Sequence, residues 1–132
     1  MVKLTDSQID QEIGNIVSQF QLYQCYECAR AVMQWLTDNE IEGKVIELKT
    51  RYHDEDYIIS DRIGNDQSIT INGKHYGVEV RGRVFDNLSP QGMTRDDWLK
   101  DFHCQSEEFI SYNVGTIARL VILVKPSICD SI

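Results

Sequence analysis

Residues 72–87 read Asn72-Gly73-Lys74-His75-Tyr76-Gly77-Val78-Glu79-Val80-Arg81-Gly82-Arg83-Val84-Phe85-Asp86-Asn87. Two alternating runs flank an Arg-Gly pair, the pattern of a β-hairpin. Within the first run Tyr76, Val78 and Val80 share one face of the strand, and His75, Gly77 and Glu79 share the other. If the loop has two residues, the pairing sum is odd. Asp86 then projects on the same face as His75, as a diagonal neighbour within about 7–8 Å. A three-residue loop would send it to the opposite face. Gly77 leaves room on that face for a packed helix, and Asn87, Ser89 and Pro90 are expected to end the strand.

Outward from this hairpin, Asn72-Gly73 is expected to close another with a strand over Ser68–Ile71. Short strands are expected at Tyr57–Ile59 and Lys44–Leu48. Upstream the period changes. Ile9, Ile13, Ile16, Val17 and Phe20 recur at helical spacing, so residues 6–20 read as an amphipathic helix. Cys28, Ala29, Val32, Met33 and Leu36 mark a second helix, which ends near Asn39. Downstream, a helix from Thr94 to Phe102 is expected to bury Trp98 and Leu99. The run Thr116 to Val124 is apolar enough for a strand covered on both faces. Helices followed by a meander of strands define an α+β protein, with N-terminal helices packed on an antiparallel sheet. No repeat or composition break divides residues 1–132, so a single domain is expected.

The bulk numbers exclude several classes. A formal net charge of −8 and a pI near 4.7 repel phosphates, and no block of Lys or Arg could track a nucleic-acid backbone or an anionic membrane. Neither class is an expected partner. The N-terminus has no apolar signal core, and Leu120–Val124 is too short to span a bilayer. Four cysteines without an export signal point to reduced thiols and a cytoplasmic protein, exported only by a route not encoded in this chain. The tail Cys129-Asp130-Ser131-Ile132 lacks the apolar centre and upstream basic cluster of a prenylation signal.

Cys25 stands where the polar stretch Gln21–Gln24 gives way to the second helix. The unpaired N–H groups and positive dipole of a helix start stabilise an anion, and thiols so placed ionise at about 3.5–7.5 instead of about 8.5. With His75 as base and Asp86 orienting the imidazole, Cys25 makes a set suited to thiol catalysis. The Cys25 N–H can contribute to an oxyanion site, and Gln19 and Gln24 are the side-chain amides at hand.

Four segments carry a family resemblance: Gln24-Cys25-Tyr26-Glu27-Cys28-Ala29, Gly73-Lys74-His75-Tyr76-Gly77-Val78, Val84-Phe85-Asp86-Asn87-Leu88 and Trp98-Leu99-Lys100-Asp101-Phe102-His103-Cys104. In these the chain resembles the bacterial papain-fold toxin domains of the second type, including small stand-alone cyanobacterial members. The resemblance implies a papain-like cysteine peptidase fold with a Cys25, His75, Asp86 triad. It also implies peptidase, deamidase or acyl-transfer activity on a protein or peptide substrate, with no cofactor or metal, and an immunity or inhibitor protein as a further partner. Larger toxins of this type carry delivery modules, and none is expected in these 132 residues. Papain-like peptidases often use Asn as third member, so Asn87 stands as a rival to Asp86.

Other readings stay open. Cys25 taken alone is a small core hydrophobe, and Cys28 reads as packing. Cys25-x-x-Cys28 has the spacing of a dithiol or zinc pair, but no strand precedes it and His103-Cys104 is adjacent instead of spaced. A catalytically silent protein-binding module with an acidic surface would use the same fold. His53, among Asp54, Glu55 and Asp56, reads as a solvated loop residue or a weak divalent-cation contact. Trp98 and Phe102 read as core, and His103 as either surface or cleft.

Overall fold

The computed structural model describes residues 3–64, 66–114 and the backbone of 121–124. Helix α1 (Asp6–Val17) opens on a capping box, in which the Thr5 hydroxyl accepts from the Gln8 N–H and the Gln8 amide accepts from the Thr5 N–H. It ends three residues short of Phe20. Helix α2 (Cys25–Asp38) follows, then strand β1 (Lys44–Thr50), a two-residue strand β2 (Ile59–Ser60) and a 3-10 turn at Asp61–Ile63. The remaining elements are β3 (Lys74–Val80), β4 (Arg83–Asp86), β5 (Ser89–Thr94), α3 (Arg95–Lys100), β6 (Phe102–His103), β7 (Glu108–Asn113) and β8 (Val121–Val124). The main sheet runs β5-β4-β3-β1-β7-β8 and is antiparallel throughout, and β2 pairs with β6 apart from it. Helices on an antiparallel sheet make the expected α+β architecture.

Each face of the sheet has its own core. On one, α1 and α2 bury Ile9, Ile13, Val17, Cys28, Val32 and Leu36 against Val78, Val80 and Phe85. On the other, Ile46, Leu48 and Val84 meet Trp98, Phe102, Ile58, Ile69 and Phe109. Period-two alternation in β1 and β3 divides their side chains between the two.

Several expectations change. Residues 68–71 form no strand: the Ser68 hydroxyl donates to the Thr70 carbonyl and accepts from the Thr70 N–H, taking bonds a neighbouring strand would supply. Asn72-Gly73 therefore closes no hairpin, and β3 pairs with β1 instead. Gly73, at φ 73°, lies so close to the preceding loop that a Cβ would sit 2.6 Å from the Glu55 carbonyl oxygen. Ser89 and Pro90 do not break the sheet but begin β5, an edge strand where a missing N–H costs no ladder bond. Helix α3 is shorter than expected, and the polar residues Glu108, Ser111 and Asn113 concealed β7. Of the run 116–124, residues 121–124 form a strand; residues 116–120 and the Cys129 tail lie outside the described residues. No helix among the described residues is long and apolar enough to cross a membrane.

Candidate active site

The chain enters α2 through a turn in which Tyr23 adopts φ 71°. Gln24 is the N-cap, but its side chain makes no capping bond; its Oε1 accepts from the Gln21 N–H at 2.7 Å. Helices α1 and α3 are capped by Thr5 and Thr94, so α2 is the one α-helix among the described residues whose first-turn N–H groups lack a side-chain acceptor. Those N–H groups surround Cys25, which leaves the positive end of α2 open to an anion. Gln19 instead donates to the Asn15 carbonyl at 3.3 Å.

His75 is 1% exposed on β3, with Phe102 and Trp98 at ring-centroid distances of 5.0 and 5.9 Å. The loop to β4 has two residues, Arg81 and Gly82, both at positive φ, and Val80 pairs with Arg83. That is the odd register required, and it puts Asp86 beside His75: Nε2 of the ring lies 2.9 Å from the Asp86 Oδ2. Nδ1 has no direct hydrogen-bond partner at ordinary distance. It is the nitrogen left for Cys25, whose Sγ lies 4.0 Å from the carbonyl oxygen of neighbouring Lys74.

The approach of the thiol differs from expectation. Helix α2 packs on the Val78 and Val80 face of β3, not over Gly77. The space above Gly77 is filled by Trp98 of α3 and by Val84, which a Cβ there would meet at 2.9 and 2.8 Å. Cys25 instead lies beside the carbonyl of Lys74, the β3 residue next to His75, and acts on the imidazole from there.

Asp86 is held from all sides. Its Oδ2 accepts from His75, from the Trp98 indole N–H at 2.8 Å and from Arg62 Nη2 at 2.9 Å. Its Oδ1 accepts from Arg62 Nη1 at 3.0 Å and from the Leu88 N–H at 3.1 Å. Arg62 is fixed in turn by Asp101, whose carboxylate takes its Nε and backbone N–H at 2.9 Å each and also accepts from the Ser60 hydroxyl. Asn87 faces elsewhere, its Nδ2 donating to the Gln21 carbonyl at 2.8 Å and tying the loop before Cys25 to the end of β4.

Burial opposes charge on His75, but the bond to Asp86, the contact with Cys25 and the negative charges of both outweigh it, raising the imidazole to about 9. Burial likewise opposes charge on Asp86, yet His75 and Arg62 hold its carboxyl well below the usual range. One turn further along α2, Cys28 meets the opposite fate. Burial first, then the negative charges of Asp86 and Cys25, push its thiol up to about 12.

Cys25 lines a cleft of about 400 Å³ with Tyr23, Tyr26, Ile71 and Tyr76. His103 is outside it, held between Asp61 and Glu107 at 2.9 and 2.6 Å. Sequence reasoning did not find Arg62 or the Asp101 clamp, and took Trp98 for core alone. The need of a buried Asp86 for a cation was the available signal, and no local motif at Asp61-Arg62-Ile63 marked the residue that meets it.

Helices preceding strands, with the thiol-bearing helix laid against the sheet, are the order and packing of the papain-like α+β class. The chain belongs to the papain fold toxin 2 family, whose model matches residues 8–103. That span runs from α1 into β6. No curated protein and no solved structure matches the chain significantly.

Proposed function

We propose that this protein is a papain-like thiol hydrolase or acyl transferase acting on protein amides, with Cys25 as nucleophile, His75 as acid and base, and Asp86 as the group that orients the imidazole. The observation that carries this reading is the polarity of His75: Nε2 is bound to Asp86, while the buried Nδ1 has no direct partner and is the nitrogen left for Cys25, whose contact with the ring helps to hold its charge. Asp86 rather than Asn87 takes the third role, because only Asp86 bonds the ring.

An imidazole raised to about 9 is charged near neutral pH and pairs with a thiolate. The thiolate attacks the amide carbonyl, forming the C–S bond. Charge moves to the carbonyl oxygen, towards the uncapped N–H groups of α2. His75 gives its Nδ1 proton to the nitrogen, the C–N bond breaks, and an amine or ammonia leaves a thioester on Cys25. His75, now neutral, takes a proton from water, which attacks the thioester and releases the acid. An incoming amine in place of water makes the reaction a transfer.

The test is alkylation of all four cysteines by iodoacetamide across pH, resolved by mass spectrometry, in wild type and His75→Ala. Cys25 is expected to label faster than the other three thiols below neutral pH and to slow there roughly a hundredfold or more in the variant. Equal, slow labelling of every thiol would refute the proposal. Comparing proteins from cells expressing wild type or Cys25→Ser then separates the reactions: new termini indicate a peptidase, and amide-to-acid conversion a deamidase.

A further inference from the structure

Lys49 of β1 and Lys74 of β3 are direct cross-strand partners on the same sheet face. Like charges directly opposite one another destabilise a strand pair. Among the described residues neither lysine has an ion-pair partner, although the chain carries 21 acidic residues against 13 basic ones. Together with Arg51 and His53 they line a pocket of about 180 Å³. Arg51 is committed to Glu108 at 2.7 Å. The charge left over in the pocket is therefore that of the two lysines. His53, read from sequence as part of an acidic loop, lies among cations.

The pocket is continuous with the cleft at Cys25, since Asn72 and Lys74 line both. The Lys74 carbonyl lies 4.0 Å from the Cys25 Sγ, so the backbone of one of the two lysines adjoins the nucleophile. The cleft itself is lined by Tyr23, Tyr26, Tyr76, Ile69 and the 76%-exposed Ile71, with Thr70 and the carboxylate of Glu27. The cationic side chains are thus gathered at the Lys49–Lys74 pocket, while the cleft adds aromatic side chains and one carboxylate, and this difference gives a bound peptide a direction.

We infer that the Lys49–Lys74 pocket binds a carboxylate of an acidic peptide substrate, next to the amide presented to Cys25. The inference rests on the proposed function for the position of that amide, but the anion site stands on its own geometry. The lysines act on binding and take no part in bond making.

Two arms test it. In the first, Cys25 labelling by anionic iodoacetate is compared with labelling by neutral iodoacetamide, in wild type and in Lys49→Gln/Lys74→Gln. The iodoacetate-to-iodoacetamide rate ratio is expected to fall at least about fivefold in the variant, and the wild-type ratio to fall with added salt. A ratio unchanged in a variant with wild-type circular dichroism overturns the inference. Slow iodoacetamide labelling of wild-type Cys25 would instead defeat the catalytic reading.

The second arm does not depend on that reading. Calorimetry on Cys25→Ser with acetyl-tetraglutamate amide, acetyl-tetraalanine with a free C-terminus and acetyl-tetraalanine amide separates side-chain from terminal carboxylates. Binding of either anionic peptide, lost when the two lysines are also replaced, supports the site. No binding, or equal binding of the uncharged peptide, overturns it.

Discussion

The two faces of β3 are built from alternate residues of one seven-residue strand and carry opposite chemistry. Tyr76, Val78 and Val80 lie against helical side chains, while His75 faces a buried chain of alternating charge through Asp86 and Arg62 to Asp101. The first face contributes apolar burial, which depends on volume. The second contributes charges that are tolerable only while each has its partner. The thiol belongs by its helix to the first face and by its contact to the second. The reactivity proposed for Cys25 thus arises where the two kinds of core meet, and burial one turn deeper in the apolar one raises the Cys28 thiol out of that role.

The comparison breaks most sharply at Asp86. Asp86→Ala leaves both Nη groups of Arg62 and the His75 and Trp98 N–H groups without their acceptor, so urea denaturation is expected to show a loss of about 3–5 kcal/mol. Cys25 alkylation should lose its dependence on His75 in the same variant. On the apolar face, Leu36→Ala is expected to cost about 2–5 kcal/mol by opening a cavity. The pH profile of Cys25 labelling should nevertheless stay as in wild type. A shifted profile in Leu36→Ala would mean that the two faces are not separable.

Stability against pH sharpens the contrast further. Because His75 is raised to about 9, its contribution is fully present below the ordinary imidazole value of 6.5 and is lost as pH rises through about 9. Because Asp86 is lowered, its contribution is present above the ordinary carboxylate value of 3.8 and is lost on acidification below it. Thermal melts from pH 3 to 10 should show a plateau between these limits. In His75→Gln the alkaline fall should disappear.

Gly77→Ala forces a methyl against Trp98 and Val84 and is expected to cost about 1–3 kcal/mol by overpacking, read from the chemical midpoint. The smallest effect is expected at Asn87. Asn87→Ala loses one bond to the Gln21 carbonyl, about 0.5–1.5 kcal/mol, and should leave the His75 titration followed by NMR where it is in wild type.

Much of this was legible in the chain itself. Period-two alternation in 74–80 assigned His75 and Val78 to opposite faces, and parity brings Asp86 to His75 on condition of a two-residue loop, a length that the pairing of Val80 with Arg83 supplies. Helical periodicity placed α2, and the change to strands after Gly43 established α+β. These are local properties, carried by spacing along the backbone and by turn residues that tolerate positive φ.

Other features came only with the packed structure. Sequence spacing cannot say which face of a sheet a helix will cover, and α2 covers the face opposite His75. Nor can it say which cation answers a buried carboxylate: Arg62 lies 24 residues from Asp86 in sequence, and the choice is made by β2 pairing with β6 beside α3. The lysine pocket likewise exists because β1 and β3 are neighbours, a pairing decided by how the sheet buries its two cores. Local pattern determines what each segment is; long-range burial, with its demand that every hidden charge find a partner, determines which segments meet.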